Sequence, residues 1–313
     1  MTQIILRRLL SGIPLLLGVS FVTFILIGVA PGDAAMILAG AEATPAEYQA
    51  LRQELGLNEP LLLQYWHWLV NAVQGDMGKS IVNGQDVVQS LNERLGVTLS
   101  IVIPSVAISA FLGVLVGCIS AHRGRWLGRT VDFAAVFGSA LPNFWIALIV
   151  VTLLAVTFPI FPAIGYVSPT VSLSGWATSI TLPVLSMVIG GFAGIAKQTR
   201  DAMLTGLSAE YTLAHRADGV REGTIVYWHT LRNSAAPILA IIGLNFVGSL
   251  GGTVLIEKIF GLPGLGGIAV SATSQRDITT IQGVVVYFAI LAVLVNLVLD
   301  LTYRRLNPKV QVK

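Results

Sequence analysis

Charged residues are scarce in this chain of 313 residues. Asp, Glu, Lys and Arg together make up 11% of it, whereas 54% is hydrophobic and the mean hydropathy is +0.78. Soluble domains average about 25% charged residues, and so small a share cannot cover a water-facing surface. The composition therefore excludes a disordered chain and an ordinary soluble enzyme domain, and it indicates a membrane protein.

Residues with the chemistry of common metal and catalytic sites are also rare. Cys118 is the single cysteine, which excludes an intramolecular disulfide and a thiolate metal cluster. The four histidines show no metal-ligand spacing, and no Gly-x-Ser-x-Gly segment of a serine hydrolase occurs. Gly78-Lys79-Ser80 matches the end of a phosphate-binding loop, but Val73 occupies the position of its first glycine. We therefore expect no catalytic residue and no metal site in this chain.

Ionisable side chains are missing from the middle of the long apolar runs. Asp132, Glu257 and Asp300 lie at the ends of such runs, where water reaches them. A charged group at the centre of a bilayer costs about 3 kcal/mol or more and usually marks an ion or proton path. This pattern disfavours a proton-coupled transporter and an intramembrane enzyme. A self-powered secondary transporter and a membrane scaffold without transport activity remain the alternatives to a transporter powered by a partner.

Six stretches are apolar enough to cross a bilayer, which takes about 20 residues. They cover about 9–32, 95–121, 133–158, 180–199, 233–256 and 278–299. The charge-free run 133–196 is divided at 159–179, because the prolines and glycines there are typical of a loop. The predicted fold class is an all-α polytopic membrane protein, with residues 1–313 forming a single transmembrane domain.

The distribution of Lys and Arg predicts the orientation in the membrane. Six spans place both termini on one side, and taking that side as the cytoplasm puts 14 of the 19 basic residues in inner segments and 5 in outer ones. Lys and Arg are enriched in cytoplasmic loops. The basic pI near 9.1 therefore reports topology, and nucleic-acid binding is not expected.

Two loops are too long to be simple connections. The outer loop, 33–94, contains a capping box from Thr44 to Glu47, which predicts a helix ending near Leu55. The stretch 61–73 is amphipathic, and it either packs on the spans or lies on the membrane surface. Its predicted apolar face carries Leu62, Trp66, Leu69 and Val73.

The inner loop, 200–232, contains a short helical pattern with a small-residue face. Ala214 and Ala217 lie three residues apart, so they share a face that another surface can approach closely. Gly219 is suited to end the helix in the left-handed conformation. The periodicity alone is equally compatible with an ordinary interfacial helix.

This inner segment resembles the cytoplasmic-loop signature of bacterial ABC importer permeases of the dipeptide/oligopeptide branch. Three other segments match that branch in order and spacing: Pro31-Gly32-Asp33, Gly75-Asp76-Met77-Gly78 and Glu257-Lys258-Ile259-Phe260-Gly261-Leu262-Pro263-Gly264-Leu265-Gly266. The resemblance implies a type I importer permease fold with six transmembrane helices, and an extracytoplasmic helical insertion at 33–94 between the first two. It also implies location in the bacterial cytoplasmic membrane.

The resemblance further implies an ATP-driven importer of peptides or a related small solute that works by alternating access. The inner helix would couple the chain to its ATPases through Ala214, His215, Arg216, Ala217, Asp218, Gly219, Val220 and Arg221. The implied partners are a second homologous permease, two ABC ATPase subunits and an extracytoplasmic substrate-binding protein. ATP and Mg would be used by the ATPases, and this chain would hold no cofactor.

Uncharged polar residues are the candidates for lining a path. Asn143 follows a proline, and Asn245, Ser249 and Thr253 are spaced by four, so they form a stripe for a path or for interhelical hydrogen bonds. The outer loop 257–277 would receive the binding protein or gate entry. Its candidate residues are Glu257, Lys258, Phe260, Pro263 and Gly264.

Pairs of glycines at four-residue spacing favour close helix packing in three of the spans. In the span 233–256, Gly248, Gly251 and Gly252 are also candidates for lining the path. These pairs are Gly113/Gly117, Gly190/Gly194 and Gly248/Gly252.

Overall fold

The structure, a computed structural model, describes residues 2–30, 32, 34–40, 43–122 and 124–306. Its helices are α1 (Thr2–Val29), α2 (Ala34–Ala39), α3 (Pro45–Glu54), α4 (Leu61–Val73), α5 (Val87–His122), α6 (Arg125–Ala140), α7 (Asn143–Val151), α8 (Leu173–Leu207), α9 (Glu210–Ala217), α10 (Glu222–Thr224), α11 (Leu231–Asn233), α12 (Ala235–Ile259), α13 (Leu265–Ser274) and α14 (Ile278–Leu306). Wider π-helical turns follow α7 at Thr152–Thr157 and α10 at Ile225–Thr230. The predicted all-α class is confirmed.

Five helices in the described part of the chain are long and apolar enough to cross a bilayer. They are Leu6–Val29, Val87–His122, Leu173–Leu207, Ala235–Ile259 and Ile278–Leu306. Each overlaps one predicted span. Only 17% of the apolar window of the first helix and 11% of that of the last is buried within the chain, which fits helices that face lipid or other subunits. Pro31 and Asp33, where the first predicted span meets the outer loop, lie outside the described residues.

The stretch predicted as the third span, 133–158, is interrupted in the structure. α6 ends at Ala140, Leu141 is extended, and α7 begins after Pro142. The two helical parts are bent by 96° at this break. The proline is the cause, since it disfavours the helical conformation of the residue before it. Apolar content alone does not reveal such a break.

The predicted loop 159–179 is shorter in the structure, because α8 begins at Leu173. Ser172 caps the helix, its hydroxyl accepting a hydrogen bond from the Gly175 amide at 3.1 Å. Gly175, which was assigned to the loop, therefore lies in the first turn of α8. A serine at the N-cap satisfies one of the free amides of the first turn.

The chain divides into two compact units, of which the first contains residues 1–98 and 263–293. The predicted capping box is confirmed there: the Thr44 amide donates to the Glu47 carboxylate at 2.8 Å, and the Glu47 amide donates to the Thr44 hydroxyl at 3.3 Å. α14 starts at a buried carboxylate, Asp277, which accepts hydrogen bonds from the hydroxyls of Ser80 at 2.6 Å and Thr280 at 2.7 Å. The segment before α5 is thereby fixed to the start of α14.

α4 has the predicted bounds, but it packs through a different face. Tyr65 and Trp68 are buried against Phe24 of α1, whereas Trp66 is 59% and Val73 80% exposed. The two faces are one residue apart and have the same spacing, so periodicity could not separate them. The buried face carries two aromatic rings, Tyr65 and Trp68, and the exposed face carries one, Trp66, so packing through the first face removes more aromatic surface from water.

The second unit contains residues 99–262 and 294–313, and the crossing of α5 and α8 belongs to it. A Cβ on Gly113 would lie 2.7 Å from Ile195 Cβ, and one on Gly117 would lie 2.6 Å from Thr199 Cβ. The two helices can approach this closely only because glycine has no side chain. The prediction of close packing at Gly113/Gly117 is confirmed.

Candidate functional site

One face of α9 is fixed to the rest of the second unit. Thr212 is fully buried, and its hydroxyl donates to the Gly206 carbonyl at 2.9 Å. The ring of His215 stacks on that of His229, with the centroids 4.4 Å apart. Gly206 lets the π-helical turn Ile225–Thr230 approach the end of α8, since a Cβ there would lie 2.7 Å from Thr230 Cγ2. The helix is therefore attached to the end of α8 and to the π-helical turn.

The opposite face of α9 is exposed and made of small or apolar side chains. Leu213 is 58% exposed, and Ala214 and Ala217 are also exposed. Alanine carries only a methyl group, so another protein can approach the helix backbone closely here. The predicted small face is therefore present and accessible.

The C-terminal end of α9 depends on a glycine. Gly219 has φ +74°, and a Cβ there would meet nothing within 4 Å. The Val220 amide donates to the His215 carbonyl at 3.0 Å, and the Gly219 amide donates to the Arg216 carbonyl at 3.1 Å. These bonds satisfy carbonyls of the last helical turn. The left-handed backbone, and not lack of space, is what requires glycine.

An ion pair closes the segment after α9. Arg216 donates to the two carboxylate oxygens of Glu222 at 3.0 and 2.6 Å. The hydrogen bonds from Arg216 lower the pKa of Glu222, and the same bonds raise the pKa of Arg216. Both side chains are more than 40% exposed, so solvent weakens the attraction between them. The pair orients the loop more than it stabilises it.

A group of charged side chains joins α6 to α8. Arg200 donates to both carboxylate oxygens of Asp132 at 3.2 Å, and Lys197 Nζ lies 3.5 Å from Asp132 and 2.9 Å from Asp201. Gly128 provides the space, because a Cβ there would collide with the Arg200 guanidinium. From its position in the sequence, Asp132 is predicted to lie at a span end in contact with water. Its pairing with α8 was missed, since partners so far apart in sequence leave no local pattern.

Three of the four predicted path residues share one cleft in the second unit. Asn143, Asn245 and Ser249 line an opening of about 330 Å³. Two backbone positions bring the amides in: a Cβ at Gly190 would collide with Asn143, and one at Gly191 would lie 2.8 Å from Asn245 Nδ2. None of the described residues that line the cleft is charged. The role of Gly191 was missed, although the adjacent glycines in the sequence were a signal for it.

Thr253, the fourth predicted path residue, is not part of the cleft. It is fully buried, and its hydroxyl donates to the Leu250 carbonyl at 2.8 Å. It therefore uses its polar group within its own helix. The stripe spaced by four extends over three residues of the helix, but only two of them reach the opening.

The predicted docking or gating residues differ in exposure. Lys258 and Pro263 are exposed, whereas Glu257, Phe260 and Gly264 are buried. The Phe260 carbonyl accepts a hydrogen bond from the Gly165 amide at 3.0 Å, which fixes the end of α12 to the loop before α8. Of these five residues, only Lys258 and Pro263 are accessible to a docking protein. For the other three, a role in gating stays a prediction.

The sequence matches two family descriptions that together span most of the chain. Residues 113–312 match the binding-protein-dependent transport system inner membrane component, and residues 1–102 match the N-terminal part of such membrane components. The first match covers well over half of the chain and includes the cleft and α9. The chain belongs to this family.

Similar permease proteins match over their whole length. One from Brucella abortus, named for a peptide transport system, is 36% identical over 312 residues, which is 99% of each chain. The glutathione transport system permease protein GsiC of Escherichia coli K12 is 36% identical over 314 residues, and the match covers 100% of each chain. A permease protein of a peptide ABC transporter from Sinorhizobium fredii is 36% identical over 308 residues, 98% of each chain.

Family membership, together with the apolar helices, makes this chain a multi-pass inner membrane protein and the permease component of an ABC transport system. Such a component is not itself catalytic, and it works with a binding protein and an ATPase. Two surfaces of the chain are therefore candidates for a role in transport, namely the exposed face of α9 and the uncharged cleft.

Proposed function

We propose that this permease component carries peptides, delivered by a binding protein, through the membrane at the expense of ATP. The relatives named for peptide and glutathione transport support this substrate class. The cleft fits it chemically, because the side-chain amides of Asn143 and Asn245 both donate and accept hydrogen bonds, as the peptide backbone does. An uncharged lining lets substrates of different charge pass.

The proposed topology has six spans, with the bent pair α6 and α7 forming the third. Both termini are cytoplasmic, so that α9 faces the cytoplasm and α2, α3 and α4 form an extracytoplasmic insertion within 33–94. The excess of Lys and Arg in the segments assigned to the inside supports this orientation. Residues 200–232 are then the cytoplasmic coupling loop.

The observation that carries the proposal is the asymmetry of α9. Thr212 and His215 fix one face to the second unit, while Leu213, Ala214 and Ala217 are exposed on the other. A helix that is rigidly attached on one side and open on the other can transmit movement from a partner to the spans. The segment from Ala214 to Arg221 is therefore the coupling element that contacts the ATPase.

The assembly that follows contains a second homologous permease, two ABC ATPase subunits and an extracytoplasmic binding protein. ATP and Mg are held by the ATPases. Their closure moves α9, the spans open outward, and substrate enters past Lys258 and Pro263 and then along Asn143, Asn245 and Ser249. Hydrolysis returns the permeases to the inward-facing arrangement, which completes one cycle of alternating access.

The coupling role is tested with a bulky substitution on the exposed face of α9. In Ala217→Trp the indole prevents close approach, so we expect the ATPase to be lost when the membrane complex is purified through this chain. The matched control is Ala46→Trp, which makes the same change at an exposed position of α3. Retention of the ATPase by Ala217→Trp, or its equal loss from both variants, would contradict the assignment.

The energy source is tested by reconstituting the complete assembly in proteoliposomes. Uptake of a labelled peptide should require the binding protein, the ATPase and ATP together. Uptake by this chain without any ATPase would instead identify a self-powered secondary transporter. An inserted chain that never supports uptake in the complete assembly would identify a scaffold.

A further inference from the structure

An apolar groove of about 510 Å³ lies in the second unit, apart from the cleft and from the exposed face of α9. It runs between α5, the first turns of α12 and the last turn of α14. Its floor is aliphatic and is formed by Val114, Leu231, Ala235, Ile238, Leu239 and Ile242. Neither the family match nor the coupling mechanism gives this groove a function.

The charges at the groove have one sign. Arg232 and Arg305 line it, and none of its described lining residues is acidic. Arg232 donates from Nε to the Leu306 carbonyl, which uses one of the five N–H groups of a guanidinium. The remaining donors of the two arginines are available to an anionic group such as a phosphate.

The aromatic residues beside the groove indicate its depth in the membrane. Trp228 is 65% and Tyr227 44% exposed, and both line the groove. Tryptophan and tyrosine concentrate where the hydrocarbon of a bilayer meets the headgroups. The start of α12 and the end of α14 lie at this level, because both are ends of apolar spans.

We propose that the groove binds an anionic phospholipid of the surrounding membrane. The phosphate is held by Arg232 and Arg305, and an acyl chain lies along Ile238, Leu239 and Ile242. Basic pockets between the cytoplasmic ends of transmembrane helices are suited to such headgroups. Because Tyr227 and Trp228 of the groove belong to the turn Ile225–Thr230 that stacks on α9, the bound lipid supports the same turn that holds the coupling helix.

The charge pattern favours a lipid over the other occupants. A second permease packed on this face would cover two arginines and would have to supply acidic partners for them. The segment 307–313 contains Lys309 and Lys313 and no acidic residue, so its side chains have the same positive charge as the groove and are repelled by it. An anionic lipid satisfies both the aliphatic floor and the two cations.

The test uses the full chain in its assembled complex, placed in nanodiscs of phosphatidylglycerol and phosphatidylcholine in equal amounts. Native mass spectrometry of the released complex should show retained phosphatidylglycerol and little phosphatidylcholine. The double variant Arg232→Gln/Arg305→Gln should bind phosphatidylglycerol about 30-fold more weakly, since each cation near a headgroup contributes about 1 kcal/mol. Arg129→Gln, which makes the same type of substitution once at an exposed position of α6, should leave binding unchanged.

Two further variants test whether lipid binding depends on the charge of the arginines and on free space in the groove, independently of folding. Arg232→Lys/Arg305→Lys keeps both charges and should retain phosphatidylglycerol binding within about threefold, even if the glutamine variant fails to assemble. Leu239→Trp fills the apolar floor and should remove binding while leaving both arginines in place.

Three results would each overturn the proposal. The first is equal retention of the two lipids by the unaltered complex. The second is tighter phosphatidylglycerol binding after deletion of residues 307–313, which would show that this segment occupies the groove. The third is disulfide cross-linking of a cysteine at position 239 to the second permease, which would show that a protein covers it.

Discussion

Gly113 and Gly117 on α5 have the same spacing as Gly248 and Gly252 on α12, but their surroundings are opposite. A Cβ on Gly117 would lie 2.6 Å from Thr199 Cβ and 2.7 Å from the Ala196 carbonyl oxygen, whereas one on Gly248 would meet nothing within 4 Å. The first pair closes a helix crossing. Gly248 of the second pair lines an opening, so the same sequence pattern allows packing at one place and leaves space at another.

The neighbouring helix accounts for the difference. α8 brings a β-branched side chain, Thr199, against Gly117, and the contact fills the space that glycine leaves. The neighbour of the second pair is an amide from α7: Asn143 Nδ2 lies 3.4 Å from a Cβ built on Gly252. Asn143 also lines the cleft, together with Gly248 and Asn245 of α12 itself. Polar side chains at an unfilled cleft can be hydrated, whereas an apolar lining would favour closure.

The largest expected effect is the difference in stability between two variants that each add one methyl group, one in each glycine pair. Gly117→Ala should lower the free energy of unfolding by about 2–3 kcal/mol, because the backbone of α5 or α8 must shift. Gly248→Ala should leave it unchanged or raise it by about 0.5–1 kcal/mol, because alanine favours a helix and the methyl has room. Unfolding in mixed detergent micelles measures both variants. Equal losses of stability would contradict the contrast between the two pairs.

Measurement of peptide uptake tests whether the opening beside Gly248 lies on the substrate path. Gly248→Leu places a larger side chain at the edge of the cleft and should reduce uptake while the complex still assembles. A Gly248→Leu complex with full uptake would show that the cleft is not on the path.

These two pairs also show how much the sequence could predict. The spacing correctly indicated close packing at Gly113/Gly117, whereas at Gly248 it left packing and path lining both open, and the structure shows an open cleft there. Spacing records which face of a helix the small residues occupy, but it does not record what lies opposite. Only the tertiary arrangement supplies the neighbour.

Local chemistry was predicted more reliably than tertiary contacts. The capping box at Thr44, the bounds of α4 and the end of α9 before Gly219 follow from residues within a few positions of one another. The pairing of Asp132 with Arg200 and the packing of Tyr65 on Phe24 involve residues distant in sequence. Such contacts depend on which helices become neighbours, and a single sequence does not encode that in any short pattern.

A smaller effect on stability is expected at Gly219. Substitution there tests whether glycine is required by its backbone conformation or by lack of space for a side chain. Gly219 and Gly223 both have open surroundings, but only Gly219 has a positive φ. Gly219→Ala should therefore cost about 1–2 kcal/mol locally, and the Val220 amide should exchange its hydrogen about fivefold faster or more. Gly223→Ala is the matched control and should leave that exchange rate unchanged. A rate that rises equally in both variants would show that the loop responds to any added side chain.

The smallest effect is expected from the ion pair that closes the same turn, since both of its side chains are partly exposed. Arg216 lowers the pKa of Glu222, so the contribution of the pair is fully present above the ordinary glutamate pKa of about 4.3 and is lost as the pH falls through the lowered value. Glu222→Gln should speed exchange of the Val220 amide slightly at pH 7, after correction for the intrinsic rate, and the difference from the unaltered chain should disappear below the lowered pKa. The exchanged pair Arg216→Glu/Glu222→Arg should restore most of the protection at pH 7. A difference that persists at low pH would mean that Glu222 acts through its size or its hydrogen bonds and not through its charge.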